Sequence, residues 1–353
     1  MKARVRQILR DSGNPAMSRR HLLQTLGATA VASFVANAPL WTRAAFAAAE
    51  GKVFPAVTMN HLSLGVADYV KSRDWYVDLF GMRIAWDDGK QCALEFGSMT
   101  KPNGMYIRKI GPTEKPGVGH FAFGVPNFMA NRDAMKAEME RRNLTNIRPD
   151  GEVGWIANDP SGYMLNTWVP IKDKAMYPGA AAPCKVAASD ECRHGYENGV
   201  ENLSALPKPS GRGFKALYYS HVVLNVPEAD LAKEKEFYTG MYGMKVIYDK
   251  EGGPNPEIFL RFDQNTLYLR KTANAGDKPY CNHYAFVVEN YNQGKVEAEL
   301  KRRRLDPKPD SKLGWTIQDP DGMRIEVAGP GLPEHIANDC NGAAQSCPGG
   351  DRG

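Results

Sequence analysis

The sequence repeats itself at a distance of 160 residues, and this repeat limits the folds open to the chain more than any other feature. The segment 154–166 (GWIANDPSGYMLN) matches 314–326 (GWTIQDPDGMRIE), and 61–66 matches 221–226 at the same distance. A chain that carries one pattern twice is expected to fold as two copies of one unit. Its 353 residues also suffice for about two domains of roughly 150 residues each.

Each copy contains a further repeat, and a histidine begins it. A histidine opens a short alternating or apolar run at four places: His61, His120, His221 and His283. Such runs are typical of β-strands. The segments 128–142 and 291–304 have apolar residues at helical spacing among Lys, Glu and Arg, so a helix is predicted after the strand.

Short strands and a tight turn complete each repeat. Strands bounded by Gly and Pro are predicted at 93–96, 105–110, 258–262 and 267–270. The Asp-Pro-x-Gly elements at 159–162 and 319–322 predict tight turns between the last two strands. The sequence therefore predicts an α+β fold made of four βαβββ units.

These units predict two domains with irregular segments around them. We place domain one at 55–172 and domain two at 214–332. The segment 173–213 between them is rich in Ala, Gly, Pro and Ser and is interpreted as a linker. The residues 333–353 have little apolar pattern and are expected to form a flexible tail.

The first 49 residues have the order of an export signal. Arg19 and Arg20 precede a mildly apolar stretch, and an alanine-rich segment ends at Ala49. The two arginines resemble those of a twin-arginine (Tat) signal peptide, which implies export of the folded protein by the Tat machinery. We expect cleavage near Ala47 or Ala49 and a periplasmic or extracellular mature protein without a stable membrane span. A retained anchor is the alternative, which Pro39 and the diluted apolar stretch disfavour.

The positive charge of the chain lies in this leader. The leader holds seven Lys and Arg residues against one acidic residue, and the whole chain has a net charge of +5, so residues 50–353 have about −1. A mature protein that is nearly neutral lacks the basic surface that nucleic-acid binding needs. We therefore expect no nucleic-acid partner.

The six cysteines agree with an oxidising compartment. Four of them lie in the linker and the tail, where their spacing leaves the pairing open: Cys184, Cys192, Cys340 and Cys347. Cys92 and Cys281 lie in or beside predicted strands and are interpreted as buried thiols. Since no C-x-x-C pair occurs, the cysteines do not indicate a zinc site.

Four histidine-opened βαβββ units with a GW…DP-x-G…E element resemble the vicinal oxygen chelate (VOC) superfamily. That superfamily includes glyoxalase I, bleomycin-resistance proteins and extradiol dioxygenases. The resemblance covers nearly all of residues 58–330. It implies that two units pair into one cupped mixed sheet per domain, with helices outside and metal ligands pointing into the cup.

The resemblance also implies a ligand set in domain two. His221, His283 and Glu326 occupy the ligand positions on the first and last strands of its units. Two imidazoles and one carboxylate form a facial triad, which is most familiar from non-haem Fe(II) enzymes and leaves positions open for substrate and oxygen. We expect a divalent metal, with Fe(II) favoured and Mn(II), Zn(II) and Ni(II) left open.

Domain one has the same positions with a different third residue. His61, His120 and Asn166 match the triad, and Asn166 brings a neutral amide where domain two has a carboxylate. An amide is a weaker anchor for a divalent cation, so we expect domain one to be degenerate. A weak second metal site at these residues is the alternative.

Arginine stands at the fourth corner of both domains, where the resemblance to glyoxalase implies a glutamate ligand. Arg108 and Arg270 cannot bind a metal, which argues against a glyoxalase site with four ligands. Arg270 is a candidate for positioning the substrate by pairing with a substrate carboxylate, or for pairing with Glu326. The alternative is a structural or outward-facing ion pair.

Three tyrosines are further candidates for orienting a substrate. Tyr268 is the main candidate, and Tyr248 and Tyr284 are the others. Tyrosines at such positions more often serve only to pack the core. Tyr284 directly follows His283, so its side chain is expected on the opposite face of the sheet.

The resemblance implies a metal-dependent enzyme for a small substrate with two vicinal oxygens. A catechol, an enediol or a 2-oxo acid fits this class, and dioxygenase chemistry is the leading hypothesis. A lyase or isomerase of the glyoxalase type is one alternative. A binding protein without catalysis, like the bleomycin-resistance proteins, is the other.

Overall fold

A computed structural model describes residues 51–87, 89–98, 101–170, 207–250, 252 and 255–339. The predicted signal segment and the four cysteines of the linker and the tail lie outside these residues. The domain boundaries proposed above stay predictions. In the described part of the chain, no helix has the length and apolar character needed to cross a membrane.

Domain one contains two βαβββ units in sequence order. The first comprises β1 (Thr58–Val66), α1 (Tyr69–Phe80), β2 (Arg83–Asp87), β3 (Gln91–Ser98) and β4 (Lys101–Lys109). The second comprises β5 (Gly117–Gly124), α2 (Phe128–Arg141), β6 (Thr145–Asp150), β7 (Gly154–Asn158) and β8 (Met164–Trp168).

Domain two repeats this order and adds one helix. Its first unit comprises β9 (Ala216–Val226), α3 (Leu231–Tyr242), β10 (Lys245–Lys250), β11 (Glu257–Phe262) and β12 (Asn265–Lys271). Its second comprises β13 (Tyr280–Val288), α4 (Gln293–Arg302), β14 (Lys308–Ser311), β15 (Gly314–Gln318) and β16 (Arg324–Ala328). A short 3-10 helix, Glu228–Asp230, precedes α3, and the sequence patterns did not predict the last helix, α5 (Leu332–Asp339).

Each domain forms one mixed sheet of eight strands. The strand order is β2-β3-β4-β1-β5-β8-β7-β6 in domain one and β10-β11-β12-β9-β13-β16-β15-β14 in domain two. The opening strands of the two units pair antiparallel at the centre, and each pairs in parallel with the last strand of its own unit. The predicted α+β class with paired βαβββ units is confirmed.

The Asp-Pro-x-Gly elements form the predicted turns. The amide of Gly162 donates to the Asp159 carbonyl at 2.9 Å, and the amide of Gly322 donates to the Asp319 carbonyl at 3.1 Å. Both glycines have positive φ angles, +93° and +83°, which a residue with a Cβ rarely adopts. Each turn therefore joins its last two strands as expected.

The two domains share one aromatic core. Phe286 of β13 lies with its ring centroid 4.6 Å from Phe80, 5.3 Å from Phe96 and 6.5 Å from Tyr76, all three in domain one. Tyr219 of domain two is 5.1 Å away. Apolar residues of both domains belong to this single buried cluster, so the sheets are stabilised together.

The turn aspartates link the domains as well as shaping the turns. The Tyr76 hydroxyl donates to Asp319 Oδ2 at 2.9 Å, and the Tyr238 hydroxyl donates to Asp159 Oδ2 at 3.0 Å. Each bond joins a helix of one domain to the turn of the other. The repeat alone suggested only a turn-forming role, so this second role is a finding of the structure.

A buried glutamate occupies one side of this symmetrical interface. Glu234 Oε1 accepts from the Ser161 amide at 2.6 Å and from the Ser161 hydroxyl at 2.5 Å. Its Oε2 is buried and has no hydrogen-bond partner in the described ranges. Burial, followed by the charge of Asp159, raises the pKa of Glu234 to about 9. The folded protein therefore binds a proton at Glu234 more tightly than the unfolded chain does.

We expect the Glu234→Gln variant to lose less stability than the wild type as the pH rises. A carboxyl group whose pKa is raised on folding contributes stability at low pH, and this contribution is lost as the pH rises from about 5 to 9. Glutamine keeps an oxygen that accepts from Ser161 and does not ionise. Urea unfolding at pH 5, 7 and 9 measures the difference, with the exposed Glu236→Gln as the control. Parallel pH profiles of the wild type and Glu234→Gln would contradict the assignment.

Candidate metal centre

The face of the domain-two sheet opposite the shared core forms a second cluster, which we call the domain-two cup. Its buried apolar residues are Val223, Phe259, Tyr268, Ala285, Val287, Ala328, Leu332 and Ile336. Leu332 and Ile336 belong to α5, so this helix covers one end of the cup. In β9, Val222 and Leu224 pack into the shared core, whereas Val223 lies in the cup.

A β-bulge precedes each of the four strand-opening histidines. In each case one residue is skipped by the strand pairing: Asn60, Gly119, Ser220 and Asn282. An extra residue changes which face the following side chains occupy. Tyr219 thus packs into the shared core while His221, two residues later, turns to the cup. The alternation of apolar residues does not reveal such an extra residue, so the sequence analysis missed all four bulges.

The structure brings His221, His283 and Glu326 together at the centre of the cup. Their ligand atoms all lie within 4.8 Å of one another. His221 Nε2 is 3.2 Å from Glu326 Oε2, and His283 Nε2 is 3.1 Å from Glu326 Oε1. The two Nε2 atoms are 3.4 Å apart. All three side chains are buried, with at most 3% of their surface exposed. Two histidines and one glutamate, all of which can ionise, thus lie together away from water.

These separations fit a metal ion. Ligand atoms about 2.1 Å from a metal lie roughly 3.0 Å apart at a right angle and roughly 3.4 Å apart at a tetrahedral angle. The observed values of 3.1, 3.2 and 3.4 Å span this interval. Two imidazole nitrogens and one carboxylate are also the donor set of non-haem Fe(II), and they suit other divalent ions of the first row.

The protonation of His283 gives a second test of the fit. Its Nδ1 is 2.7 Å from Asn282 Oδ1, an arrangement that assigns the ring proton to Nδ1. The lone pair of Nε2 then faces a carboxylate oxygen of Glu326 at 3.1 Å. Burial lowers the pKa of His283 to about 3, so a charged imidazolium is disfavoured. Two acceptors at this distance repel each other, and a cation between them removes the repulsion.

The bulge residues supply the outer partners of the ligands. Asn282 contacts His283 Nδ1, and Ser220 Oγ lies 3.4 Å from His221 Nδ1. Partners of this kind hold the ring orientation and tautomer that leave Nε2 free for a metal. In domain one, Asn60 Oδ1 contacts His61 Nδ1 at 2.8 Å, whereas the bulge before His120 is a glycine.

We expect the Asn282→Ala variant to bind a divalent metal about 10- to 100-fold more weakly, as is typical when an outer partner of a ligand is removed. Competition with a chromophoric chelator measures the affinity, and Asn282→Asp is expected to restore most of it. Asn60→Ala, at the equivalent kind of bulge in domain one, is the matched control and should leave this affinity unchanged. Wild-type affinity in Asn282→Ala would show that the contact has no positioning role.

Tyr268 lies directly against a candidate ligand. Its ring stacks on His221 with a centroid distance of 4.4 Å and an interplanar angle of 6°, and on Phe259 at 3.8 Å. Its hydroxyl is buried without a hydrogen-bond partner in the described structure. Burial, followed by the charge of Glu326, raises the pKa of Tyr268 well above its ordinary value, so the hydroxyl remains a donor.

The other candidates from the sequence have different positions. Arg270 forms an ion pair with Glu257 rather than with Glu326. The Tyr284 hydroxyl contacts the Tyr76 hydroxyl at 2.5 Å on the opposite face of the sheet, as its position after His283 predicted. Tyr248 packs beside Phe259 with centroids 5.1 Å apart and is only partly buried.

Domain one keeps the histidine pair and loses the rest of the arrangement. His61 Nε2 is 3.3 Å from His120 Nε2, close to the spacing in domain two. The Asn166 side chain donates through Nδ2 to Asp150 Oδ2 at 2.7 Å, so its amide is held by an acid outside the histidine pair. Its Oδ1 is buried and makes no hydrogen bond within the described residues.

A tryptophan occupies the space beside this histidine pair. Trp168 lies edge-on to His61 with centroids 5.0 Å apart and donates to Asp150 Oδ2 at 2.8 Å. The matching residue of domain two is the smaller Ala328, which is buried in one cluster with Leu332 and Ile336 of α5. Arg108 faces solvent and pairs with Glu114 at 2.9 Å. These differences agree with the expected degenerate site, although metal binding by domain one stays a separate hypothesis.

Comparison with known proteins gives a family match for domain one and solved structures of similar fold for most of the chain. Residues 58–167 match the model of the Glyoxalase/Bleomycin resistance protein/Dioxygenase superfamily. Each domain is built from the paired βαβββ units that this group uses. The chain has a VOC fold. No curated protein sequence matches the chain.

Solved structures with a VOC fold cover most of the chain. The 2,3-dioxygenase LapB from Pseudomonas sp. KL28 is 16% identical with a TM-score of 0.57, over 79% of this chain and 93% of that one. A variant of homoprotocatechuate 2,3-dioxygenase from B. fuscum is 20% identical with a TM-score of 0.56, over 78% and 72%. The Mn(II)-bound glyoxalase from Novosphingobium aromaticivorans is 15% identical with a TM-score of 0.56, over 79% and 83%. At these identities the likeness establishes the fold alone.

Proposed function

We propose that this chain is a metal-dependent VOC enzyme whose active site is the domain-two cup. The substrate class is a small molecule with two vicinal oxygens, such as a catechol, an enediol or a 2-oxo acid. The observation that carries the proposal is the convergence of His221, His283 and Glu326 with two imidazole nitrogens facing one carboxylate. A buried arrangement of this kind costs stability unless a cation is bound in it.

Three residues would hold the metal in this proposal. The imidazoles of His221 and His283 supply neutral nitrogen donors, and Glu326 supplies the negative charge that anchors a divalent ion. When bound, such a metal supplies Lewis acidity toward two substrate oxygens and, in the case of iron, a site for dioxygen chemistry. Fe(II) is the favoured ion, and Mn(II), Zn(II) and Ni(II) fit the same donors.

The other residues of the cup bind and shield the substrate. The Tyr268 hydroxyl is a buried donor beside His221 and has no hydrogen-bond partner among the described residues, so it is placed to bind a substrate oxygen. On the far side, Leu332 and Ile336 of α5 belong to the same buried cluster as Val287 and Ala328, so the helix covers that end of the cup. Exclusion of water strengthens every polar contact inside the site.

The decisive experiment is oxygen uptake by the iron-loaded mature protein. We expect uptake with at least one member of a panel of catechols and 2-oxo acids, and no uptake by the Glu326→Ala variant. Conversion of an enediol or of an epimerisable acyl compound without oxygen uptake would instead favour a lyase or isomerase. We include substrates of lyases and isomerases because the Mn(II)-bound glyoxalase and the homoprotocatechuate 2,3-dioxygenase variant have the same TM-score, 0.56.

A binding protein without catalysis is distinguished by its metal content. Native protein without stoichiometric metal, together with ligand binding that Glu326→Ala leaves unchanged, would establish that alternative. The paired histidines and carboxylate favour the enzyme, because a binding protein does not need three convergent buried ligands.

Export by the Tat route is part of the same proposal. The Arg19-Arg20 pair and the alanine-rich segment that follows it support this route, which carries proteins already folded around their metal. Fractionation of cells that express the wild type or an Arg19→Lys, Arg20→Lys double variant tests it. Equal distribution of the two proteins between the fractions would contradict Tat export.

A further inference from the structure

Two arginines line the end of the domain-two cup that lies opposite α5. One row of residues crosses four neighbouring strands of the sheet. In order, the row contains Arg324, His283, Val223 and Tyr268. One row farther from α5, Arg270 pairs with Asn225. The side chains of Arg270 and Arg324 are 28% and 39% exposed, so both reach the opening of the cup.

Arg324 makes only long contacts, all through one nitrogen, with three acceptors. Its Nη2 lies 3.3 Å from Glu326 Oε1, 3.4 Å from Asp310 Oδ1 and 3.4 Å from Thr316 Oγ1. Ion-paired N–H···O bonds are usually about 2.7–2.9 Å long. Its Nε is buried and has no hydrogen-bond partner among the described residues. A guanidinium with five donors therefore stands next to a candidate metal ligand with most of its donors unused.

Arg270 forms an ion pair through only one edge of its guanidinium group. Its Nε pairs with Glu257, and its guanidinium lies 5.7 Å from the centroid of the Tyr268 ring. The Nη groups, which form the outer edge of the guanidinium, have no bonded partner in the part of the chain that the structure describes. Glu257 thus holds Arg270 in place while this outer edge remains available.

The opening contains further polar groups without partners. Asn225 Oδ1 is buried without a hydrogen bond in the described part of the chain, and Asn225 Nδ2 donates to the Lys271 carbonyl and the Tyr280 hydroxyl, both at 3.1 Å. Asp310 Oδ2 is likewise buried and unbonded within the described ranges. Both of these oxygens are acceptors and cannot bind a carboxylate, so the donors available to an anion at the opening are those of the two guanidinium groups.

Domain one provides an internal comparison. The residue that matches Arg324 is Met164, which contacts Arg148 only through its sulfur at 3.8 Å. The arginine that matches Arg270 is Arg108, which is bound to Glu114 in an exposed ion pair. The two available guanidinium groups therefore occur only where the His-His-Glu set is present, as far as the described residues show.

We propose that Arg324 and Arg270 form a subsite for a carboxylate group that the substrate carries in addition to its two chelating oxygens. This inference rests on the proposed function, because the subsite is placed relative to a substrate bound at His221, His283 and Glu326. The planar guanidinium matches a carboxylate with two parallel hydrogen bonds, which a neutral substituent cannot form. Arg324 is the specificity-determining residue, and Arg270 assists it.

The charges around the opening agree with an anionic substrate. A divalent ion and two guanidinium groups carry four positive charges, and Glu326, Asp310 and Glu257 carry at most three negative ones. The positive excess holds with the metal bound and with these three acids all counted as ionised. An anionic substituent therefore enters a region of favourable potential.

The test compares ligands that differ only in the carboxylate. Calorimetric titration under nitrogen of Fe(II)-loaded protein would use catechol, 3,4-dihydroxybenzoate and the methyl ester of 3,4-dihydroxybenzoate. We expect the acid to bind wild-type protein at least tenfold more tightly than its ester. This preference should fall to less than twofold in Arg324→Met, which carries the residue of domain one at that position. The Arg108→Met variant is the matched control and should keep the wild-type preference.

The outcomes separate the subsite from the proposed function. If acid, ester and catechol bind the wild type equally well, the carboxylate subsite is wrong while chelation at the metal stands. If none of the three binds the metal-loaded wild type, the proposed function itself fails for catechols. If Arg324→Met does not fold, Arg324→Gln replaces it, and an undiminished preference for the acid in a folded Arg324 variant overturns the assignment.

Discussion

Replacement of Glu326 by alanine is expected to abolish stoichiometric metal binding. The two imidazoles that remain are neutral, so the ion loses the only negative charge among its three protein donors. Loss of a direct ligand should weaken affinity by more than the roughly 10- to 100-fold that an outer partner contributes. Elemental analysis of the purified protein, and chelator competition on the same protein, would measure the loss.

A matched substitution separates a ligand effect from a general effect on the fold. Asn166 occupies the same place in β8 that Glu326 occupies in β16, with Ala122 and Ala285 as the respective register partners. We expect Asn166→Ala to keep the full metal content of the wild type. Glu326→Gln keeps the shape and loses the charge, so it should resemble Glu326→Ala. Metal retained at one equivalent in Glu326→Ala would contradict the proposed centre.

The Phe286→Ala variant is expected to lower the free energy of unfolding by about 3–5 kcal/mol, the usual cost of removing a buried phenylalanine side chain. Its ring is fully buried and contacts aromatic residues from both domains, including Phe80 and Phe96. The vacated space lies between the domains, so neither sheet can close it alone. Urea unfolding followed by fluorescence and by circular dichroism would measure the change.

This variant also tests whether the domains unfold together. Because Phe286 belongs to the core that both sheets share, we expect one transition with a lower midpoint rather than two separate transitions. Met129→Ala, at a side chain that is 39% exposed, is the control and should change the stability by less than about 0.5 kcal/mol. A loss below about 1 kcal/mol in Phe286→Ala would mean that the domains do not depend on this contact.

The βαβββ units and the candidate ligand positions could be predicted from the sequence because the repeat aligns four copies of one unit. A histidine at each strand start and a carboxylate on one last strand are visible as matched positions, as in His283 and Glu326. The exchange of carboxylate for amide at Asn166 is visible in the same way. Matched positions occupy equivalent places once each copy folds, and the bulge before each histidine, which the sequence did not reveal, recurs at all four of them.

The outer contacts of the site could not be predicted in this way. Asn282 contacts His283 because a bulge inserts one residue into β13, and Arg270 pairs with Glu257 across two strands. Neither contact follows from spacing along the chain. The helix α5 was also missed, since it is only eight residues long and its two core residues, Leu332 and Ile336, are the sole apolar signal at helical spacing.

The sequence by itself determined four βαβββ units in two copies. Together with the resemblance that its motifs carry, it predicted the pairing of the units into sheets and the candidate ligands His221, His283 and Glu326. The tertiary structure alone decided the role of the turn aspartates, the cover that α5 provides and the free donors of Arg324. The physical reason is the range of each interaction. Strand alternation and turn chemistry act between near neighbours in the sequence, whereas the contact between Tyr76 and Asp319 exists only after two domains have packed together.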